Sequence, residues 1–132
     1  MLALDDIRGY IASLNIAEQV YIGKLNNKKL HSIGVYHRKG SGKPVTALGG
    51  DDRSSYDIRR ISLLIHWDKN IRESERAAYE LYEKLKNISS LSMGDTLVLF
   101  VVPQVPEPVD VGTDDNGVYE YVMWLDFVYQ RK

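Results

Sequence analysis

The sequence predicts an α+β domain, a largely antiparallel sheet of four to five strands with two helices packed on one face. Two segments, Leu4 to Leu14 and Ile71 to Ile88, repeat apolar residues at three- and four-residue spacing, the mark of a helix with one buried face. Two others, Tyr56 to Trp67 and Val118 to Tyr129, alternate with the period of a strand. The order helix, strand, strand, strand, helix, strand, strand lacks the regular alternation that a parallel sheet requires. A chain of 132 residues fits one domain, residues 1–132, able to bury roughly two-thirds of the surface its unfolded form exposes.

In the first helix Leu4, Ile7, Ile11 and Leu14 form the stripe, and Asp5 and Asp6 favour the positive end of the helix dipole. Gln19 to Leu25 and Ser32 to Arg38 are short runs rich in β-branched and aromatic residues, and the polar Asn26-Asn27-Lys28-Lys29 between them predicts a hairpin. In Tyr56 to Trp67, Ile61, Leu63, Ile65 and Trp67 share one face, with Arg60, Ser62, Leu64 and His66 on the other. The second helix carries Ile71, Ala78, Leu81, Leu85 and Ile88 in its stripe, with Asn70 placed three residues before Glu73 as a cap. Thr96 to Val102 is apolar on both faces, which predicts a central strand ended by Pro103. In the last strand Tyr119, Tyr121, Met123, Leu125, Phe127 and Tyr129 alternate with Glu120, Trp124 and Asp126. The polar, Gly- and Pro-bearing stretches Lys39 to Ser55 and Pro103 to Gly117 are expected to be long loops, the first becoming ordered on assembly.

Composition narrows the function classes. Hydrophobic residues at 44% and charged residues at 27% exclude a disordered or low-complexity chain. Seventeen Lys and Arg against eighteen Asp and Glu leave a formal charge of -1, without the basic surplus of a dedicated nucleic-acid binder. The absence of cysteine removes disulfides, thiolate zinc sites and a thiol nucleophile together. Asp5 and Asp6 stand where a secretion signal would carry its apolar run, and the longest apolar run, Leu97 to Val102, is far short of a membrane span. A soluble protein is expected, with no membrane and no sequence-specific nucleic acid among its partners.

The search for chemistry returns little. His37-Arg38-Lys39-Gly40-Ser41-Gly42-Lys43-Pro44 fails as a phosphate-binding loop, because His37 replaces the first glycine and Pro44 the metal-binding hydroxyl residue. His66 and Asp68 lie two apart, and Asp126 or Glu120 can approach from the last strand, which raises a small metal-dependent nuclease or hydrolase as an alternative function. A wet strand end followed by a turn is the better reading of that pair. The Tyr-rich last strand offers a stacking platform for single-stranded nucleic acid, yet a core layer beneath two helices accounts for it more simply. A generic intracellular binding module also stays open. No catalytic residue, metal or cofactor is expected.

The loops differ in charge. Arg38, Lys39, Lys43 and Arg53 make the first basic near its base, whereas Glu107, Asp110, Asp114 and Asp115 make the second acidic, with no Lys or Arg between Pro103 and Gly117. Complementary patches on one chain are what head-to-tail ring closure between copies requires, so Arg38, Lys39, Lys43, Glu107, Asp110, Asp114 and Asp115 are the candidate interface residues.

Over nearly its full length the chain resembles the small minor capsid and tail terminator proteins of long-tailed bacteriophages. The resemblance rests on the opening helix, the following strand pair, Ile58-Arg59-Arg60-Ile61-Ser62-Leu63-Leu64-Ile65-His66-Trp67 running into a helix with Ala77-Ala78-Tyr79 and Leu81-Tyr82, a strand, a long loop, and the closing Trp124-Leu125-Asp126-Phe127-Val128-Tyr129. It implies a virion part without enzymatic activity, whose subunits form a ring of six on the tail tube, stop its growth and face the head connector. It also implies a location in the virion, and in the bacterial host cytoplasm before assembly.

Overall fold

The structure, a computed structural model, describes residues 1–26, 28–39 and 56–131. Lys43, Arg53 and most of the expected first loop lie outside the described residues. The elements are α1 (Leu4–Ser13), β1 (Gln19–Ile22), β2 (Ser32–His37), β3 (Tyr56–His66), α2 (Ile71–Lys86), β4 (Ser89–Met93), β5 (Thr96–Pro103), β6 (Val109–Thr113) and β7 (Tyr119–Gln130). The α+β class holds, but the sheet is larger than four to five strands and is mixed. Its seven strands run β1-β2-β3-β7-β5-β4, with β6 paired to β7 off this path.

The expected hairpin between β1 and β2 is absent, because the two strands pair in parallel, Gln19 opposite Ser32 and Ile22 opposite Val35. Two residues with positive φ explain how so short a connection reverses twice. Gly23 (φ 72°) turns the chain out of β1 and donates its N–H to the Val35 carbonyl (2.8 Å), and His31 (φ 54°) turns it back into β2. The His31 backbone is held on both sides, its N–H by the Trp67 carbonyl (2.8 Å) and its carbonyl by the Glu18 N–H (2.9 Å).

Two strands went unread in the sequence. β4 is a serine-rich edge strand joined to β5 through Gly94 (φ 59°) and Asp95. β6 lies inside the expected acidic loop, where Asp110 and Gly112 lower its strand propensity and exposure leaves no apolar alternation to detect. β3, β5 from Val98 to Pro103, and β6 from end to end all pair antiparallel with β7, which is therefore the spine of the sheet.

One core cluster joins both helices to the odd-numbered face of β3 and β7. Ile7 and Ile11 of α1, Leu81 and Leu85 of α2, Ile61, Leu63 and Ile65 of β3, and Met123, Leu125 and Phe127 of β7 are all buried in it. Ile71, expected in the α2 stripe, is instead 54% exposed at the first turn. The Asn70 cap forms as expected, its side-chain oxygen accepting from the Glu73 N–H (3.2 Å). α2 packs on β5 and β7, whereas α1 touches β1, β2 and β4, which stand at opposite ends of the strand order. The sheet is thus curled around α1. β5 is interior, as its composition predicts, but a bulge between Val98 and Phe100 separates a buried Val98 and Val101 from an exposed Phe100 and Val102. Among the described residues no helix is long and apolar enough to cross a membrane.

Candidate assembly surface

The four acidic residues singled out by charge do not share one simple loop, because β6 runs through that stretch. Lys43 lies outside the described residues. Arg38 is engaged within its own chain, its guanidinium bonded to the Asp126 carboxylate on β7, and both side chains are partly buried. Lys39 alone among the described candidate cations is exposed.

The acidic residues divide into two groups. Asp114 is a turn former: its Oδ1 accepts from the Asn116 N–H (2.9 Å) and the Val118 N–H (3.0 Å), closing the connection between β6 and β7. The Val118 N–H above all holds the Asp114 carboxyl below the usual carboxylate range, against the opposing effect of burial. Asp115 beside it is exposed. Glu107 and Asp110 lie apart from this turn and line a cavity of about 330 Å³ together with Glu75 and Tyr79 of α2 and Tyr121 of β7. Its far wall is a proline-flanked strap, held to the helix where Tyr82 Oη donates to the Val105 carbonyl (2.7 Å) and Tyr79 Oη donates to Glu107 Oε2 (2.9 Å). The bond to Glu107 and partial burial raise the Tyr79 phenol, and burial, then the Asp110 and Glu75 charges, raise that of Tyr121. Both phenols therefore stay neutral donors. Sequence reasoning missed Glu75, Tyr79 and Tyr121; the one available signal was Glu75 and Tyr79 four apart on one helix face.

The alternative metal triad is not assembled. His66 is fully buried and its Nδ1 meets Glu120 Oε2 (2.9 Å), with Asp114 Oδ2 at 3.9 Å. Asp68 instead meets His31 Nε2 (2.9 Å), and Asp126 sits six residues along β7 from Glu120, roughly 20 Å at the rise of a strand. Among the described residues no group of three or more His, Asp and Glu side chains can hold a metal ion. The Tyr-rich strand is a core layer, with Tyr121 and Tyr129 buried beside Met123, Leu125 and Phe127, which removes the stacking platform.

His31 serves the fold. Its Nδ1 meets Glu18 Oε2 (2.7 Å), its Nε2 meets Asp68, and its ring lies 4.8 Å from that of Trp67. Burial disfavours the charged imidazole, but the hydrogen bonds to Asp68 and Glu18 outweigh it and raise His31 above its ordinary value. Burial likewise pushes the Asp68 carboxyl up, while bonds from His31, the Asn70 N–H and Ser74 bring it below the usual range.

What remains is an exposed, charge-sorted surface with no assembled reaction centre among the described residues, and comparison with known proteins says what kind of chain carries it. The model of a family described as bacteriophage tail terminator proteins matches residues 10–131. The chain belongs to that family. A search of curated proteins finds no match. Among solved structures, the gp17 protein of bacteriophage SPP1 is similar at 14% identity and a TM-score of 0.49, over 93% of this chain and 82% of that one. As a tail terminator the protein is a structural part of a phage virion.

Proposed function

We propose that this tail terminator forms a ring of six copies on the end of the tail tube, stops its growth and presents a face to the head connector. Before assembly the subunit resides in the bacterial host cytoplasm, and it acts as a single domain, residues 1–132, without catalysis. The observation that carries this reading is the family match over residues 10–131. The placement of charge supports the head-to-tail contact: Asp110 is opposite Tyr121 on β7, whereas the Arg38 N–H bonds the Arg60 carbonyl level with Asp126. The two levels are roughly 17 Å apart along the strand. Acidic and basic groups near different ends of one sheet suit a heterologous interface, with Lys39 and Lys43 of one copy facing Glu107, Asp110 and Asp115 of the next. Arg38 and Asp114 have partners of their own and contribute by holding their segments in place.

The test is purified protein examined by light scattering and negative-stain microscopy, alone and with assembling tail tubes. Rings, or tubes of fixed length capped at one end, are expected. Tubes that elongate without limit and carry no cap in its presence overturn the reading.

A further inference from the structure

We infer that the sheet face turned away from both helices holds an apolar pocket for the bulged β6 segment around Val111 of a second copy of this chain, an inference that rests on the ring reading above. The core cluster takes only odd-numbered residues from β3 and β7, so their even-numbered side chains face outward. Ile58, Val128 and Phe100 stand in one row across β3, β7 and β5, and Arg60, Asp126 and Val102 in the next. Val128 is buried yet lies outside the core cluster, and with Tyr56, Ile58, Leu99 and Phe100 it lines a cavity of about 380 Å³. Phe100 is 48% exposed and Val102 40%. The β5 bulge sets both on the outer face, and contiguous apolar exposure of this kind marks a contact surface.

Charge selects the occupant. Arg60 on this face and Lys39 two residues beyond β2 form no ion pair among the described residues, whereas Asp126 is already matched by Arg38. Unmatched positive charge therefore stands beside the apolar pocket. Of the exposed branched apolar side chains elsewhere on the subunit, Ile22, Leu30 and Ile71 each stand within two residues of a lysine or arginine. Val111, 50% exposed, has Asp110 beside it and no lysine or arginine between Pro103 and Gly117. The register shift between Asp110 and Gly112 leaves Val111 without a partner on β7, and Asp110 Oδ1 accepts the Gly112 N–H (2.8 Å), which fixes the bulge. Val111 is thus an apolar knob on an acidic rim, the complement of an apolar pocket beside basic groups.

The two surfaces lie toward opposite ends of β7, Val111 between the residues opposite Tyr121 and Glu120, and Phe100 opposite Val128. Roughly 25 Å of strand separates them, so a subunit cannot fill its own pocket with this segment. Head-to-tail packing joins different surfaces of identical copies, which is the contact these two surfaces make.

Two measurements test the pocket. The chain lacks cysteine, so introduced pairs report the contact directly. Val102→Cys and Val111→Cys chains, their folds checked by circular dichroism and thermal melting, are treated with a short bis-maleimide under conditions in which wild type forms rings. Cross-linked dimers are expected from the mixture and not from either variant alone. Rings by microscopy without dimers in the mixture, or with as many dimers in either variant alone, overturn the pocket and leave ring assembly intact. In the second measurement, Phe100→Ser, with its fold checked in the same way, is expected to raise the concentration needed for ring formation about ten-fold. Rings at the wild-type concentration overturn the second-copy occupant, and if such rings no longer cap tubes, the tail tube is the occupant instead. A wild-type chain that neither forms rings nor caps tubes overturns the ring reading, and with it the second-copy occupant.

Discussion

The two acidic regions flanking the first half of β7 are close in sequence and opposite in arrangement. At the strand's entry, Glu120 and Asp114 face the buried His66, and Asp68 and Glu18 clasp His31, so each carboxylate is answered within the chain. One residue on, the wall formed with Tyr121 gathers Glu75, Glu107 and Asp110, and none forms an ion pair among the described residues. Side chains alternate across a strand, so residues 120 and 121 serve different faces. The lesson is that acidic composition alone says nothing of purpose: the first group is tied into the fold, and the second carries no ion pair among the described residues.

The largest perturbation removes the framework both regions share. α2 carries Glu75 and Tyr79 to the cavity, while its first turn holds Asp68 through Ser74, whose hydroxyl donates to Asp68 Oδ1 (3.3 Å). Leu81, fully buried, anchors that helix in the core cluster. Leu81→Ala is expected to destabilise the subunit by about 2 to 5 kcal/mol. An unchanged thermal melt would remove α2 as the common support.

Some of this organisation was legible in the sequence, and its limits are physical. Period-two and period-3.6 patterns survive wherever one face is buried, so β3, β7 and the core of α2 stand out, and Asn70 announces its cap through local chemistry. β4 and β6 are exposed strands whose serines, Asp110 and Gly112 carry no alternation; only their ladders to β5 and β7 define them. The β1–β2 segment reads as a hairpin because turn residues signal reversal of direction without its geometry. Its parallel pairing depends on Gly23 and on the fixing of His31 by Trp67 and Asp68, residues distant in sequence. The cavity was half legible: Glu107 and Asp110 were found by charge, but the remaining walls come from α2 and β7. Of the basic candidates, Arg38 pairs with Asp126 of β7, a contact between the residue that follows β2 and a distant strand that no local pattern encodes.

The histidine side of the comparison is sharpened by pH. With its folded value raised, His31 contributes stability that is fully present below the unfolded value near 6.5 and is lost as pH rises through the raised one. Asp68 runs the other way: with its value lowered, its contribution is present above about 3.8 and disappears as pH falls through the lowered value. Urea unfolding of wild type and His31→Ala should therefore differ more at about pH 5.5 than at about pH 8. A difference independent of pH would show that the Trp67 contact and backbone position of residue 31, not its charge, hold the short β1–β2 crossover.

The smallest expected effect separates the roles of two neighbouring aspartates. Asp114 accepts two backbone N–H groups in its own turn, so Asp114→Lys removes a structural acceptor together with a charge. Asp115 is exposed, and Asp115→Lys changes charge alone. If the turn contributes to the interface, Asp115→Lys should raise the concentration for ring formation by no more than about five-fold, the range of exposed ion pairs, without lowering the melting temperature. Light-scattering isotherms at about 0.05 M and about 0.5 M salt check the origin of the effect, which should shrink at the higher salt as screening shortens its reach. Lys39→Glu in the same chain should restore part of the loss, because the reversed charges again oppose each other across the contact. Asp114→Lys, by contrast, should lower the melting temperature at both salt concentrations. If Asp115→Lys leaves the low-salt isotherm unchanged, the turn lies outside the interface, and its charge serves solvation or a different partner.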